Sequence, residues 1–476
     1  MEQSTDILNT KSKIKRLLLD VRFWIVFFFL LRLYGITDAP LEVEHSWRQS
    51  LTNMIARNFV DNSPDLLHPT IDMAGNQSGI IGSEFPFFNY LIYLFSYVFG
   101  YEHWYGRLIN LFVTSIGVFY FAKLIKSLFG NRTALFSAIV LSASIWFAFA
   151  RKTMPDTFSV AFVIIGLYWA YEYLRLGGWR RLILFFLLCT IGMLCKIPAL
   201  SLFSVLLIVP FLKNIDLRRR LRFSFTSFLS FLIVCLWYFY WVPKLLEEHQ
   251  FQLYFPKGIM EGLKEIFMYI PDLIEQFYFN SLLSFVGFAA CLVGVFLFLK
   301  NEERRIKLGL GVIVVVFCAF IIKTGAVFPT HSYYIIPFTP IMAVFVGYLM
   351  SRIPMKWAII VTTFIVVEAI GNQQHDFFIK DREMYKLTLE DKIESVVPNN
   401  ELIIINGGSS PQHIYFAHRK GWTLTTEELN GEVVDSLTKL GASYLVLDIT
   451  YGDLNYPWYT TVYSDKFYKI YVLKEL

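Results

Sequence analysis

Apolar residues run through most of the chain in long stretches separated by short charged loops. A helix that spans a bilayer needs roughly 20 mostly apolar residues. Eleven segments approach that pattern: 19–37, 104–122, 133–150, 157–174, 182–195, 197–212, 223–242, 279–299, 308–323, 333–350 and 357–371. The run FPFFNYLIYLFSYVF over 85–99 is shorter and is interrupted by Pro86 and Asn89, so it reads as a helix in the outer interface. Residues 182–212 read as two short helices turning at Lys196-Ile197-Pro198. Beyond 371 the pattern becomes that of an ordinary soluble domain. Leu402–Ile405 and Tyr444–Leu447 read as short buried strands, and 410–419 and 431–440 as helices between turn glycines. The expected fold class is therefore mostly α: a polytopic helical membrane body over 1–371 and a small α/β domain over 372–476.

Charge orients this picture. Cytoplasmic loops of membrane proteins are rich in Lys and Arg. With the N-terminus inside, the inside loops become 122–132, 175–181, 213–222, 300–307 and 351–356, and every one is basic. Lys11, Lys13, Lys15 and Arg16 precede the first span, which has no small-residue cleavage site and reads as a retained anchor. The outside parts are then 38–103, 151–156, the turn near 196–198, 243–278, 324–332 and everything after 371. The expected location is the cell (inner) membrane, with the C-terminus periplasmic.

Composition excludes the alternatives. Of 476 residues, 55% are hydrophobic and only 17% charged, with 47 Phe; soluble domains carry about 25% charged residues. Mean hydropathy is +0.50. Residues 372–476 hold 10 basic and 15 acidic side chains, and the rest of the chain 33 and 23. The excess of positive charge thus sits on membrane-flanking loops and gives no reason to expect nucleic acid. The five cysteines lie in apolar stretches without CxxC or Cys/His grouping and read as small hydrophobes.

The candidate chemistry lies in the outside loops. In LEVEHSWRQSLTNMIARNFV, Trp47, Leu51, Met54, Ile55 and Phe59 share a helical face, which predicts an amphipathic helix over about 45–60 lying on the membrane. Glu42, Glu44, His45, Arg48 and Gln49 crowd its start; a capping acid and a solvated Arg would be the plain structural reading. In ARKTMPDTF, Pro155 and Asp156 suit a helix start, with Arg151 and Lys152 beside them. Lys196 either snorkels to the interface or stays at depth, where a charge is costly and functional. His331, Tyr333 and Tyr334 stand before a span as belt residues or as ligands. Together these predict an outward cavity at the lipid surface. A carboxylate there would deprotonate an acceptor hydroxyl, and fixed cations would stabilise a departing phosphate. No Walker or Gly-rich phosphate loop is present, which argues against a nucleotide donor.

These motifs resemble the GT-C membrane glycosyltransferases, in the branch of the protein O-mannosyltransferases and the lipid A aminoarabinose transferase. The resemblance rests on Glu44-His45-x-Trp47-Arg48-Gln49 with Ile55-Ala56-Arg57-Asn58-Phe59, and on Gly82-x-x-Phe85-Pro86. Arg151-x-x-x-Pro155-Asp156, Lys196-x-Pro198-Ala199 and His331-x-Tyr333-Tyr334-x-x-Pro337 follow in matching order over about 20–370. It implies a GT-C-like fold with about eleven transmembrane helices. It also implies a polyprenyl-phosphate-linked sugar donor and an envelope glycan, lipid or protein acceptor on the outer face, with inversion at the sugar. It gives Glu44 or Glu42 as base, with Glu44 preferred, and Asp156 as the acid that orients base or acceptor. Lys196, Arg151 and His331 take the donor phosphate; His45, Arg48, Gln49, Tyr333 and Tyr334 are further substrate contacts. Many relatives carry Asp where this chain has Val43, so the choice between the flanking glutamates stays open. No metal is assigned, although two carboxylates with one His would suit a divalent cation. The rival readings are a transporter or flippase of lipid-linked glycans, which would want internal repeats and charges facing both sides, and a ligase using a diphosphate-linked donor.

Overall fold

The computed structural model describes residues 16–251, 256–452 and 454–474; Lys11, Lys13 and Lys15 of the N-terminal basic run lie outside them. The chain is mostly helical and forms two compact units. The first comprises Met1–Ile36, Arg107–Tyr238 and Phe255–Phe377, and the second Thr37–Gly106, Phe239–Tyr254 and Phe378–Leu476.

In the first unit, helices or short helical turns occupy the places of the expected apolar segments. Their membrane-crossing count is narrower than eleven when judged by length and composition. Five helices qualify among the described residues: Tyr105–Phe129, Pro155–Leu176, Leu217–His249, Arg304–Thr324 and Met355–Asn372. Ile270–Asn280 with Phe285–Asn301, bent by 90°, makes a sixth if taken as one span. Others, such as Val21–Arg32, are shorter. The expected break near Lys196 is present: the Trp179–Cys195 helix stops there, Lys196 is extended, and Ile197–Ala199 resumes as a 3-10 turn. Pro198 has no N–H to continue the ladder, which is why the helix ends there.

Small residues bring the central helices together. Pro155–Leu176 packs along Trp179–Cys195. A Cβ on Gly192 would lie 2.8 Å from the Ser159 carbonyl, and one on Gly117 would lie 2.7 Å from the Ala161 Cβ. The Pro155–Leu176 helix is thus wedged between two close neighbours. Ser159 Oγ donates to the carbonyls of Gly192 (2.7 Å) and Lys196 (3.2 Å), tying the two helix ends in register.

The second unit is built on a five-stranded sheet in the order β2-β1-β3-β5-β4, where β1 is Leu402–Ile405, β2 Gly421–Thr423, β3 Ala442–Asp448, β4 Thr460–Ser464 and β5 Tyr468–Val472. β1 pairs parallel with β2 and β3; β5 pairs antiparallel with β3 and β4. Successive side chains alternate faces. Ile403 and Ile405 point into a core with Leu51, Met54, Ile55 and Phe59, whereas Ile404 joins Val434, Leu445 and Tyr471 on the other side. The Ser46–Asp61 helix therefore covers one face of the sheet and Gly431–Lys439 the other.

This corrects the expected membrane-surface helix. Its apolar face is as anticipated, but its polar face is enclosed as well: Gln49, Asn53 and Asn58 are buried. Each finds a partner within the unit. Asn53 donates to the His103 carbonyl at 3.3 Å, and Asn58 to the Thr70 carbonyl and the Asp72 carboxylate at 3.1 and 3.0 Å. Phe87–Phe99 is a 13-residue helix, too short to span.

The glycine contacts carry opposite expectations. Gly192→Ala forces the Ser159 carbonyl aside, an overpacking that costs about 1–3 kcal/mol. Gly311, with nothing within 4 Å of an added Cβ, gains about 0.5–1 kcal/mol as Ala in a helix interior. Melting temperatures of the detergent-solubilised protein are expected to fall for the first and hold or rise for the second. Equal behaviour would refute the close crossing.

Candidate active site

In the first unit the chemistry gathers around Lys196. Its Nζ lies 3.6 Å from Asp156 Oδ1, with the two side chains 10% and 5% exposed. The rings of Tyr333 and Tyr334 face the same ammonium, 5.9 and 5.8 Å from centroid to Nζ. Lys196 is therefore buried, beside one carboxylate and two aromatic faces. His331 stands beside the tyrosines, 5.5 and 6.0 Å between ring centroids, and is itself exposed. Four of the expected ligands thus join Asp156 in one place.

Asp156 is placed by its helix start. Pro155 occupies the first helical position and Asp156 the first turn, as the sequence pattern requires. The preceding turn is pinned from the side by Asn110, whose Nδ2 donates to the carbonyls of Phe149, Lys152 and Met154 and to Thr157 Oγ1 at 2.8–3.3 Å. Arg151 serves another part of the unit. Its guanidinium donates to the carbonyls of Arg32 (3.1 Å) and Tyr34 (2.7 Å), past the end of Val21–Arg32, and stacks 4.4 Å over Phe377. Lys152 forms a fully buried ion pair with Asp376.

In the second unit, Glu42 and Glu44 have different surroundings. Glu42 is 1% exposed; its Oε2 accepts from Gln49 Nε2 at 2.7 Å, and its backbone bridges Ile379. The Glu44 side chain is 50% exposed, 3.8 Å from His45 Nδ1. His45 is the N-cap of Ser46–Asp61, at φ 65°, and makes no side-chain cap bond. A left-handed conformation at a residue other than glycine costs on the order of 1–3 kcal/mol and persists only where the surroundings impose it. Glu44 precedes the helix and does not cap it. Arg48 pairs with Glu84, both largely enclosed.

The family described as dolichyl-phosphate-mannose-protein mannosyltransferase matches residues 83–242. No curated protein matches in sequence. Among solved structures, ArnT from Cupriavidus metallidurans bound to undecaprenyl phosphate is similar at 14% identity and TM-score 0.65, covering 94% of this chain and 98% of that one. The Archaeoglobus fulgidus oligosaccharyltransferase with Zn and sulfate gives 14% identity and TM-score 0.57, covering 90% and 68%. AglB from the same archaeon, in complex with an inhibitory peptide and a dolichol-phosphate, gives 12% and 0.55, covering 90% and 70%.

The chain has the GT-C fold. It is an integral membrane protein. Sequence reasoning missed three residues that hold expected ones: Glu84, which pairs with Arg48; Asn110, which pins the turn before Asp156; and Asp376, which pairs with Lys152. Glu84 sits inside the Gly82-x-x-Phe85-Pro86 block and could have been found there. Asn110 lies in an apolar run, where a lone amide is a signal in itself. Asp376 is 224 residues from Lys152, and nothing local points to that pairing.

Glu42, Glu44 and His45 do not form a three-donor metal group among the described residues. In the second unit Glu390, Glu394 and His418 bring donor atoms within 4.8 Å of one another. Two of the three are already engaged, since His418 bonds Glu390 and Asp61 at 2.8 Å each and Glu390 also pairs with Arg57. The set is an ion-pair network, and no step is routed through a cation.

That network titrates. Partial burial opposes the charge on His418, but the carboxylates of Asp61 and Glu390 outweigh it and raise its pKa to about 9. A raised His contributes stability that is fully present below its ordinary value near 6.5 and is lost as pH rises through about 9. The melting temperature is expected to decline between those values, and His418→Gln to flatten that decline. A pH-independent wild type would remove the network from the stability of this unit.

Proposed function

We propose that the protein is a glycosyltransferase that moves a sugar from a polyprenyl-phosphate donor to an envelope glycan, lipid or protein acceptor on the outer face of the cell membrane. The observation that carries this reading is the Lys196 ammonium, held at depth between Asp156 and two tyrosine rings. A cation so placed, in a chain without a nucleotide-phosphate loop, suits the phosphate of a lipid-linked donor. Two GT-C structures similar to this chain hold undecaprenyl phosphate and a dolichol-phosphate, which supports the donor class.

The reaction follows from these groups. A glutamate takes the proton of the acceptor hydroxyl; the oxygen attacks the anomeric carbon; the bond from that carbon to the phosphate oxygen breaks, and the phosphate leaves with the electron pair. Lys196 neutralises the leaving phosphate, with His331, Tyr333 and Tyr334 as further contacts and Asp156 fixing the ammonium. Attack from the face opposite the phosphate gives inversion. Glu44 is the better base, because its side chain is accessible, whereas Glu42 is enclosed and already accepts from Gln49. A general base has to reach the proton it takes. His45, Arg48 and Gln49 complete the acceptor side, with Arg48 oriented by Glu84. Arg151 acts by anchoring the first helix rather than by binding phosphate. The N-terminus is assigned to the cytoplasm and the C-terminus to the periplasmic side, so a reporter active only in the periplasm is expected to be active at the C-terminus.

Lys196→Ala is expected to raise the apparent KM for a polyprenyl-phosphate sugar tenfold or more, since a charge-assisted bond contributes about 1.5–3 kcal/mol. Glu44→Gln is expected to lower kcat by about 10²–10⁴ with donor binding intact. Transfer assays on purified, folded variants decide. Normal turnover of Glu44→Gln with loss in Glu42→Gln moves the base to Glu42. Normal transfer by both, and by Asp156→Asn and Lys196→Ala, overturns the glycosyltransferase reading.

A further inference from the structure

The first unit contains a cavity of about 780 Å³ far from Lys196, within the 300–1,000 Å³ range of ligand sites. Its walls are apolar, formed by residues such as Leu124, Ile164, Leu206, Ile313, Ile341 and Phe345. Its rim carries Arg175, Arg219 and Arg305. Arg175 belongs to the last turn of Pro155–Leu176, whose first turn holds Asp156. At about 1.5 Å per residue, the two ends of that helix are roughly 30 Å apart, the depth of a bilayer core. The cavity mouth is therefore in the leaflet opposite the Lys196 site.

The guanidiniums of Arg219 and Arg305 bond neutral oxygens. Arg219 Nη1 donates to the Leu174 and Arg175 carbonyls, both at 3.1 Å, and Arg305 Nη1 to Asn214 Oδ1 at 3.3 Å. Each contact uses one nitrogen of a group with five donors. Arg175 pairs with Glu172 at 3.0 Å. Of the rim acids, Asp216 caps Leu217–Leu236 by accepting from the Arg219 backbone N–H, which leaves Glu303 opposite the cluster. Lys213, Arg218, Arg220 and Arg222 surround the mouth in sequence, so its field is strongly positive. An apolar cavity in a membrane fills with hydrocarbon chains, and basic clusters at helix ends recognise anionic head groups.

We infer that this cavity binds a membrane glycerophospholipid with an anionic head group, its acyl chains inside and its phosphate at Arg219 and Arg305. The site is separate from the donor site and does not depend on the glycosyltransferase reading. A polyprenyl tail reaching down from the other leaflet would also fill the hydrocarbon walls, but it would have no phosphate at the arginines.

Native mass spectrometry of the full-length protein in detergent, titrated with phosphatidylglycerol, phosphatidylcholine or undecaprenyl phosphate, distinguishes these cases. The expected result is a phosphatidylglycerol complex that phosphatidylcholine does not match. Arg305→Gln is expected to weaken it about tenfold, the scale of one charge-assisted bond. Ile341→Trp, which fills the cavity without touching the rim charges, is expected to abolish it. Equal retention of both phospholipids, or binding unchanged in both variants, overturns the proposal. So does an undecaprenyl phosphate complex that Ile341→Trp removes and Arg305→Gln leaves intact, because that assigns the cavity to a donor tail.

Discussion

A lysine ammonium enclosed among apolar helices has to be compensated, and much of the first unit follows from the compensation at Lys196. Removing an ion from water costs several kcal/mol even after relaxation. Asp156, at 3.6 Å, supplies the opposite charge, and two tyrosine rings supply their negative faces. For these groups to meet, one helix has to start where another stops. Pro155 starts the first and Pro198 closes the second. Gly192 and Gly117 allow the helices to approach at backbone distance, and Ser159 and Asn110 fix the resulting turn. Such a pair stabilises little against an apolar replacement.

The second unit meets a different constraint. Its sheet needs cover on both faces, and a 16-residue helix from the first long loop provides one of them. That helix is enclosed with each of its amide N–H groups given an acceptor: Gln49 at Glu42, Asn53 at His103, Asn58 at Thr70 and Asp72. An amide buried without a partner costs about 1–3 kcal/mol. These amides are the joints that hold the loop 38–103 together.

This divides what was legible from what was not. Local signals read correctly: the apolar runs matched helices, the short buried runs matched β1 and β3, and Lys-Ile-Pro marked the break at 196. Strands with weak local signals were missed. β2 has three residues and β4 is a polar edge, Thr460–Ser464, with most of its side chains exposed. Pairings between distant residues were invisible. Arg48 pairs with Glu84, and Lys152 with Asp376. The face of Ser46–Asp61 was right and its setting wrong, because a polar residue reads as exposed until its partner is known.

The contrast between Glu42 and Glu44 shows how backbone geometry can separate two chemically identical groups. Residues two apart in an extended segment point the same way, and both acids would then share one environment. The bridge at Glu42 to Ile379 fixes the first of them in the fold, where Gln49 holds its carboxylate. His45, immediately after Glu44, then turns into the left-handed region to begin the helix. That turn leaves Glu44 at the edge of the enclosed segment, with half of its side chain open. A carboxylate fixed by an amide is suited to orienting its neighbours, and one left open beside an imidazole is suited to taking a proton. The strained residue that follows Glu44 is what lets one short segment, Glu42–Gln49, supply both.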